Sequence, residues 1–364
     1  MILILKPTLN CNLRCKYCYL SECSKTSTAF DLHFAKSLLS QTRSLLSPNQ
    51  KIKILWHGGE PLLWGIDNYR EIFQFIKDLF RSLNYIVSIQ TNLTLINEDF
   101  IDLFIKYNVQ VGTSLDGPKE IHDYQRTTIN GEGTFDIVLN KIDLCRSKGL
   151  KVGCITVGTH KHIGRIKQLY QFMSEHQIGF KFNPIFNAGD AQKSIDELSI
   201  TPSEYSDMAI ELFDLWFYDN QHKISNSIFA DIASSIISKK NCSHCLFSPN
   251  CQQHIIAVSP SGDVVPCGRF CDEGLIKFSY GNLYKEDLYT IISKIQNSDI
   301  YKRPEYIADS GCRLCKFYSI CYGGCLYDGY TRSNNFKSKS FLCMAYKRIF
   351  EHISSRLKEI GIIN

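Results

Sequence analysis

The 364-residue chain has little net charge and no long hydrophobic run. Lys and Arg exceed Asp and Glu by 41 − 36, giving a net charge of +5, which is too mild to indicate a nucleic-acid partner. No apolar run approaches the roughly 20 residues of a membrane span, and the N-terminus lacks a cleavable export signal. We therefore expect a cytoplasmic protein that binds neither nucleic acid nor membranes.

The composition is that of a globular protein with one exception. Hydrophobic residues make up 44% and charged residues 21%, and at roughly 150 residues per domain the length predicts two or three domains. The exception is the sixteen cysteines. A disulfide scaffold would be shorter and richer in Cys, and a chain without an export signal keeps its thiols reduced. The cysteines therefore indicate metal or redox chemistry.

Short apolar runs rich in β-branched residues alternate with amphipathic stretches in the first half. The predicted strands cover residues 2–5, 52–56, 85–90, 109–114, 152–157 and 180–184, and the predicted helices cover 30–46, 69–83, 100–107, 135–147 and 163–176. Such alternation predicts an α/β fold whose parallel sheet is built from right-handed crossovers. Six units indicate an open, partial (β/α)6 barrel that resembles part of a TIM barrel.

The cysteines fall into two groups. Four lie before residue 24 and ten after residue 241. This asymmetry predicts a barrel core over residues 1–190, a helical linker region over 191–241 and a small Cys-rich domain over 242–364 that ends in a helix. Cys145 and Cys154 stand alone in the middle and are interpreted as buried apolar thiols.

Polar or glycine-rich motifs follow each of the first four predicted strands. They are Cys11-x3-Cys15-x2-Cys18, His57-Gly58-Gly59-Glu60-Pro61, Gln90-Thr91-Asn92 and Ser114-Leu115-Asp116-Gly117. In parallel β/α folds the active site gathers at the carboxyl ends of the strands. Each motif alone is compatible with an ordinary turn; four in succession favour an active site.

The first three cysteines suit one metal centre. A closed zinc site needs four ligands, and Cys23, with its x4 spacing, makes no familiar pair with Cys18. Three thiolates on a [4Fe–4S] cluster instead leave one iron without a protein ligand. A small molecule can bind that iron and accept an electron.

The stretch from Cys11 to Tyr19, together with Gly58-Gly59-Glu60-Pro61, resembles the motifs of radical S-adenosylmethionine enzymes. The resemblance implies that Cys11, Cys15 and Cys18 hold a [4Fe–4S] cluster whose open iron binds S-adenosylmethionine. It further implies that Gly58, Gly59, Glu60, Gln90, Asn92, Ser114 and Arg126 contact S-adenosylmethionine. Among these, the 58–60 backbone would meet the methionine amino group and Arg126 the carboxylate. A solvent-exposed surface arginine is the alternative for Arg126.

The C-terminal cysteines resemble the SPASM extension of these enzymes, which holds two auxiliary [4Fe–4S] clusters, three clusters in all. By that resemblance one cluster is bound by Cys245, Cys251, Cys267 and Cys325, and the other by Cys312, Cys315, Cys321 and Cys343. Cys242 can replace Cys245 as a ligand, because the spacing of the cysteines over 242–251 repeats the spacing over 312–321. Cys271 has no place in this ligand pattern. Two zinc sites are the alternative. Residues 255–265 read as a hairpin.

The resemblance implies reductive cleavage of S-adenosylmethionine to methionine and a 5′-deoxyadenosyl radical, which takes hydrogen from a substrate. SPASM enzymes mostly modify peptides or proteins, here expected to be a ribosomal precursor peptide, and a flavodoxin or ferredoxin would supply the electron. Sulfatase maturases carry an aspartate base after the cysteine that matches Cys267, where this chain has Gly268. We therefore favour an oxidative crosslinking maturase that forms a cyclophane or thioether.

Three alternatives stay open: an anaerobic sulfatase maturase that forms formylglycine, an iron–sulfur electron carrier and a zinc-stabilised binding module. His57, Tyr17, Tyr19 and Asp116 are candidates for the general base by location only. Cys11 follows only ten residues, so we expect no leader-binding domain before the barrel.

Overall fold

The computed structural model describes residues 1–26, 28–221, 224–242 and 244–363. Packing divides the chain into two compact units, each assembled from separate stretches. The first comprises Met1–Ser114, Arg126–Gly153 and Gln252–Tyr301, and the second comprises Leu115–Gln125, Cys154–Cys251 and Lys302–Asn364. The domain division at residues 190 and 241 stays a prediction.

Nine strands form in the described part of the chain. They are β1 Ile2–Leu5, β2 Lys51–Trp56, β3 Asn84–Gln90, β4 Gln110–Ser114, β5 Val152–Gly158, β6 Phe180–Pro184, β7 Ile255–Val258, β8 Asp263–Val265 and β9 Gly281–Asn282. The first six confirm the predicted strands to within one residue at each end.

The strands of the first unit pair side by side in the order β4-β3-β2-β1-β7-β8-β9. The pairings from β4 to β7 are parallel, with Leu3 opposite Ile54 on one side and Ile256 on the other. Strands β7, β8 and β9 are antiparallel, which confirms the predicted hairpin. The sequence did not predict that this hairpin extends the parallel sheet beside β1. In the second unit β5 and β6 are parallel.

The helices confirm an α/β fold. They are α1 Leu32–Ser44, α2 Ile66–Phe80, α3 Glu98–Lys106, α4 Lys119–Gln125, α5 Phe135–Ser147, α6 Ile166–Glu175, α7 Ile195–Leu198, α8 Pro202–Tyr218, α9 Ser227–Ser238, α10 Cys251–His254, α11 Leu288–Asn297, α12 Arg303–Asp309, α13 Tyr318–Cys321, α14 Leu326–Ser333 and α15 Cys343–Glu359. The five predicted helices lie within three residues of α1, α2, α3, α5 and α6. Within the described residues, no helix is both long and apolar enough to cross a membrane.

Side-chain caps fix where several helices begin. Asp31 accepts a hydrogen bond from His33 N at α1, and Asn97 accepts one from Phe100 N at α3. Thr201 and Glu204 form a reciprocal capping box at α8, whose first residue is a proline. These contacts satisfy amide groups that the first helical turn leaves without partners.

Each unit has its own core. In the first unit Trp56 of β2 is fully buried against Trp64, with ring centroids 5.2 Å apart, and against Tyr69 of α2. In the second unit α15 packs on α8, where Arg356 donates two hydrogen bonds to the Asp214 carboxylate. The polar contact fixes the register of two helices whose apolar faces supply the burial.

Candidate functional site

The Gly58–Gly59 pair closes the loop after β2 onto the segment that precedes Cys11. Gly59 N donates to Thr8 O (3.1 Å) and Glu60 N to Asn10 O (2.8 Å). A Cβ at Gly58 would overlap Thr8 O, and one at Gly59 would overlap the carbonyl oxygens of Asn10 and the residue before it. Only glycine permits so close an approach of two backbones. The motif therefore positions the start of the cysteine loop.

The Glu60 carboxylate joins this loop to the end of β3. The side chain is fully buried, with Oε1 accepting from Leu62 N (2.9 Å) and Thr91 Oγ1 (2.7 Å), and Oε2 from Asn92 N (2.7 Å). Burial raises the pKa of Glu60 to about 7, while these hydrogen bonds and the charge of Arg126 lower it. Thr91 was not among the predicted site residues, although it lies between two that were.

Asn92 reaches the cysteine loop itself. Its Nδ2 donates to Asn12 Oδ1 (2.8 Å) and lies 3.8 Å from Cys11 Sγ. Leu13 N also lies 3.4 Å from that sulfur. Two donors thus face the first predicted ligand, an arrangement that stabilises a thiolate.

The three cysteines of the loop interact with one another. Burial raises the pKa of the Cys11 thiol to about 12, and Cys15, Glu60 and Cys18 add to the increase. Cys18 N donates to Cys15 O (3.1 Å), which turns the loop between these two residues. A set of three thiols on one loop, with donors toward one sulfur, fits a thiolate-bound cluster.

A closed metal site is a different arrangement. Across residues 1–26, 28–221, 224–242 and 244–363, no three Cys, His, Asp or Glu side chains lie close enough together to hold a single metal ion. The fit of the cysteines to a cluster therefore rests on their donor chemistry and mutual proximity.

Arg126 is not a surface residue. It is 5% exposed, and its Nη1 donates to Tyr17 OH (2.6 Å) beside Cys18. The backbone next to it is also tied to the loop, because Arg14 N donates to Thr127 O (2.8 Å). The alternative of a solvent-exposed arginine is wrong, because the guanidinium is buried against the cysteine loop. Its contact with the carboxylate of S-adenosylmethionine stays a prediction.

Gln90 and Ser114 end β3 and β4. The Gln90 amide lies over Gly112 of β4, where a Cβ would overlap Oε1. Ser114 is half-buried at the last position of its strand. Both side chains lie at the carboxyl edge of the first unit's sheet, but their roles as cofactor contacts stay predictions.

Lys6 is a buried cation that the sequence analysis missed. It directly follows β1, is fully buried and donates from Nζ to Tyr19 OH (3.1 Å). A Cβ at Gly268 would lie 3.3 Å from Lys6 Cε. Gly268, where the resemblance to sulfatase maturases implies an aspartate, thus lies against the side chain of Lys6. The lysine directly after an apolar strand is the sequence feature that could have identified this residue.

Three of the four candidates for a general base have other hydrogen-bond partners, and the fourth, His57, has a lowered pKa. Tyr17 accepts from Arg126 and Tyr19 from Lys6. Burial, followed by the charges of Lys6 and Arg269, lowers the pKa of His57 to about 3, so this imidazole is neutral at neutral pH.

The side chain of Asp116, in the second unit, accepts a hydrogen bond from the backbone of β5. It is fully buried; Oδ1 accepts from Val157 N (3.1 Å) and its amide donates to His122 Nδ1 (3.3 Å). His162 Nε2 lies 3.0 Å from Asp116 O. Both the side chain and the backbone are engaged in fixing the end of β5, which is a structural role.

Asp272 is a second residue that the sequence analysis missed. Its Oδ1 accepts from Ser21 N (2.6 Å), Ser21 Oγ (2.6 Å) and Ser24 Oγ (2.9 Å). Ser21 Oγ also lies 3.1 Å from Cys23 Sγ. Cys23 is exposed and belongs to this turn, which follows Cys18. Sequence separation of about 250 residues hid the contact.

The last cysteine set comes together within the second unit. Burial raises the pKa of Cys321 to about 12, and Cys343, Cys312 and Cys315 each add to the increase. All four residues predicted to bind the second auxiliary cluster therefore lie near one another. Four neighbouring thiols are the ligand set of a [4Fe–4S] cluster, whereas in the described residues they do not lie close enough together to hold a single zinc ion.

The first auxiliary set is divided between the units. Cys245, Cys251 and Cys325 belong to the second and Cys267 to the first. Cys242 is 3% exposed, whereas Cys245 is exposed. Burial raises the pKa of Cys242, and hydrogen bonds with the His244 backbone and the Ser235 side chain oppose that increase. The choice between these two ligands stays a prediction.

Two other cysteines are buried in the first unit. Burial raises the pKa of Cys271 to about 12, opposed by Lys6, and that of Cys145 to about 11. Cys145 and Cys154 are both buried, as predicted for apolar thiols.

Comparisons with known proteins agree with this geometry. The model of the radical SAM superfamily matches residues 5–173. The chain is 29% identical over 370 residues to the cysteine-type anaerobic sulfatase-maturating enzyme of Clostridium novyi (strain NT), covering 99% of this chain and 96% of that protein.

Two solved structures share the fold. Native anSMEcpe with bound AdoMet and Cp18Cys peptide has a TM-score of 0.86 at 24% identity, covering 99% of this chain and 98% of that one. SuiB of Streptococcus suis bound to precursor peptide SuiA has a TM-score of 0.62 at 18% identity, covering 94% and 75%. The parallel-sheet fold with a Cys-rich C-terminal region is thereby confirmed.

Proposed function

Because residues 5–173 match the model of the radical SAM superfamily and the chain is an enzyme, we propose that it oxidises a cysteine or serine side chain of a peptide to formylglycine. One observation carries the proposal. The similarity to a cysteine-type sulfatase-maturating enzyme extends over 99% of this chain, so it includes the C-terminal cysteines as well as the strand–helix region. The crosslinking reaction preferred from the sequence has less support.

Cofactor binding is assigned to residues of the first unit. Cys11, Cys15 and Cys18 would hold a [4Fe–4S] cluster, which when bound supplies the electron that cleaves S-adenosylmethionine to the hydrogen-abstracting radical. Arg126, held by Tyr17, would bind the carboxylate of S-adenosylmethionine through its fork. The 58–60 backbone, Gln90, Asn92 and Ser114 would line the remainder of that pocket.

The protein supplies orientation rather than the radical chemistry. Glu60 and Asn92 tie the loops after β2 and β3 to the cysteine loop through buried hydrogen bonds. Such preorganised contacts hold a cofactor against a substrate carbon without reorganisation during the reaction. The auxiliary cysteines, Cys245, Cys251, Cys267 and Cys325 together with Cys312, Cys315, Cys321 and Cys343, would hold two further clusters that accept the electron left after hydrogen abstraction.

Partners follow from this chemistry. The anSMEcpe structure contains a Cys-bearing peptide and the SuiB structure a precursor peptide, and we assign a peptide substrate to this chain as well. A flavodoxin or ferredoxin would be the electron donor. Reduced thiols and oxygen-sensitive clusters suit the cytoplasm.

Gly268 favours crosslinking as a second candidate. Formylglycine formation requires a proton acceptor near the oxidised carbon, and Gly268 has no side chain to provide one. The adjacent Lys6 is an ammonium that donates to Tyr19, so it does not replace a carboxylate. A crosslinking maturase uses a nucleophile of its own peptide and has less need of that aspartate.

The test is an anaerobic assay with reconstituted enzyme, dithionite, S-adenosylmethionine and a peptide that contains Cys-x-Pro-x-Arg. Formylglycine formation predicts a mass loss in this peptide, 5′-deoxyadenosine production and an aldehyde that reacts with a hydrazide. The same peptide with alanine for cysteine is the substrate control, and the C15A variant is the enzyme control.

Two results would reject the sulfatase-maturase proposal. One is 5′-deoxyadenosine production while the peptide is unchanged; the other is loss of two hydrogens from a precursor peptide encoded beside this protein, which is the crosslinking outcome. The G268D variant adds a direct comparison, because a Cβ there meets only side-chain carbon atoms at 3.2 Å or more. Increased formylglycine production by G268D would mean that the missing aspartate limits the wild type.

A further inference from the structure

Arg303 is a buried cation in the second unit. It begins α12 and is 2% exposed. Its Nε donates to Phe336 O (3.0 Å) and its Nη2 to Ser338 O (3.1 Å). Both acceptors are neutral carbonyls, so they orient the guanidinium without neutralising its charge, and within the described residues no carboxylate forms an ion pair with it. A buried unpaired charge is costly and requires a counter-charge.

The nearby acidic groups are cysteines. Burial lowers the pKa of Arg303, and Cys251, Cys325, Cys312 and Cys321 act in the opposite direction, in that order. Two of these thiols come from each of the two sets assigned to the auxiliary clusters. The guanidinium thus lies within electrostatic reach of both sets.

The carbonyl partners of Arg303 are fixed to the segment that carries these cysteines. Ser338 O lies against Gly329 of α14, where a Cβ would be 2.6 Å from it, and Cys325 is the N-cap of α14. Ser340 N donates to Gly323 O (2.7 Å), two residues after Cys321. The position of the guanidinium relative to Cys321 and Cys325 is therefore set by packed backbone.

We infer that the permanent charge of the buried Arg303 raises the reduction potentials of the auxiliary iron–sulfur groups that the nearby cysteines of the second unit would hold. This inference rests on the auxiliary clusters of the proposed function. Reduction adds a negative charge to a cluster, and a fixed cation in a poorly solvated site stabilises the reduced form. Hydrogen bonds and charge near cluster sulfurs are established determinants of potential.

The experiment is an EPR-monitored redox titration in a full-length background with Cys11, Cys15 and Cys18 replaced by alanine, so that only the auxiliary clusters titrate. R303Q removes the charge but keeps an amide donor for the carbonyls. R303K keeps the charge. R313Q is the matched control, because Arg313 lies between Cys312 and Cys315 but is exposed, where water screens its charge.

We expect R303Q to lower the midpoint potential of at least one cluster by an amount that changes the oxidised-to-reduced ratio tenfold or more, 59 mV for one electron. R303K and R313Q should stay within a threefold change. Equal potentials for R303Q and R313Q would overturn the inference.

Iron content decides the case in which R303Q cannot hold clusters. Iron loss in R303Q but not in R303K would show that the positive charge is needed, which supports the inference. Equal iron loss in both variants would show that the packing of the guanidinium group is needed rather than its charge, which overturns the inference. If the background protein itself binds no auxiliary iron, the auxiliary clusters and this role both fail. If the background protein binds iron but R303Q leaves the midpoint potentials unchanged, only the role of Arg303 is rejected.

Discussion

Glu60 is a buried carboxyl group whose protonation differs between the folded and unfolded chain. Burial raises its pKa to about 7, whereas the ordinary value is 4.5. Between these values the folded chain holds a proton that the unfolded chain has released, so this group makes stability fall as pH rises. From pH 5.5 to pH 8 the expected loss is about 2 kcal/mol, since one pH unit corresponds to about 1.4 kcal/mol per proton.

The E60Q variant should lack this contribution. Urea unfolding of wild type and E60Q at several pH values measures the difference between their slopes over that range. E98Q is the control, because Glu98 is exposed and its pKa is lowered by Lys148, so its titration lies below the range. Parallel profiles for wild type and E60Q would contradict a raised pKa.

Single residues were predictable where chemistry depends on neighbours in sequence. The Cys11-x3-Cys15-x2-Cys18 spacing identifies a loop ligand set because all three side chains come from one turn of chain. Lys6 and Asp272 were not predicted, for the opposite reason. Their hydrogen-bond partners, Tyr19 and Ser21, come close to them only after the strands have paired. The burial of Arg126 was likewise not predictable, because the sequence alone does not distinguish a surface arginine from a buried one.

At the scale of elements, the alternation of apolar strands and amphipathic helices was sufficient to place the site. Each motif lies after a predicted strand, and parallel pairing brings the carboxyl ends of β1 to β4 to one edge of the first unit's sheet. The attachment of β7 to β1 was not predictable. A hairpin pattern specifies its local turn but not which open strand edge it will join.

The turn after Cys18 depends on one carboxylate from a distant segment. In D272A the amide and hydroxyl of Ser21 and the hydroxyl of Ser24 lose their shared acceptor. Since water replaces part of these contacts when the turn opens, we take the net loss as that of one hydrogen bond to a charged group, about 2 kcal/mol. Local opening of residues 19–26 should therefore become roughly 30 times more frequent.

Hydrogen–deuterium exchange of the peptides that cover this turn measures the effect. D287A is the control, because Asp287 is an exposed cap of α11 that accepts from Thr290 N and has no contact with the turn. Unchanged exchange at Ser21 in D272A would show that the turn is held by other contacts. D272N, which keeps one acceptor oxygen, should fall between wild type and D272A.

At the scale of the whole molecule, each compact unit is built from several separate stretches of sequence. The distribution of cysteines predicts two metal-bearing regions but carries no information on which distant stretches pack together. Cys267 illustrates this: it is grouped by spacing with Cys245 and Cys251, yet it belongs to the first unit, in the segment that carries the β7–β9 hairpin. The residues that pack into one compact unit are therefore not the same groups of residues as the cysteines assigned to one cluster.

Metal content tests all eleven ligand assignments together. After anaerobic reconstitution three [4Fe–4S] clusters require about 12 iron atoms per chain and negligible zinc. Replacing Cys11, Cys15 and Cys18 by alanine should remove about a third of the iron. Replacing Cys312, Cys315, Cys321 and Cys343 should remove another third, because these four thiols lie together within the second unit.

C145A is the matched control for these variants, since Cys145 is buried in the first unit and is assigned to no cluster. It should retain the wild-type iron content. About 4 iron atoms with about two zinc ions would keep the radical chemistry and refute the auxiliary clusters. In that case the Cys-rich region would stabilise the fold without accepting electrons, and oxidation of the substrate radical would need an acceptor outside the protein. Absence of iron after reconstitution would reject the radical reaction, because the proposed source of the electron for S-adenosylmethionine is the cluster held by Cys11, Cys15 and Cys18.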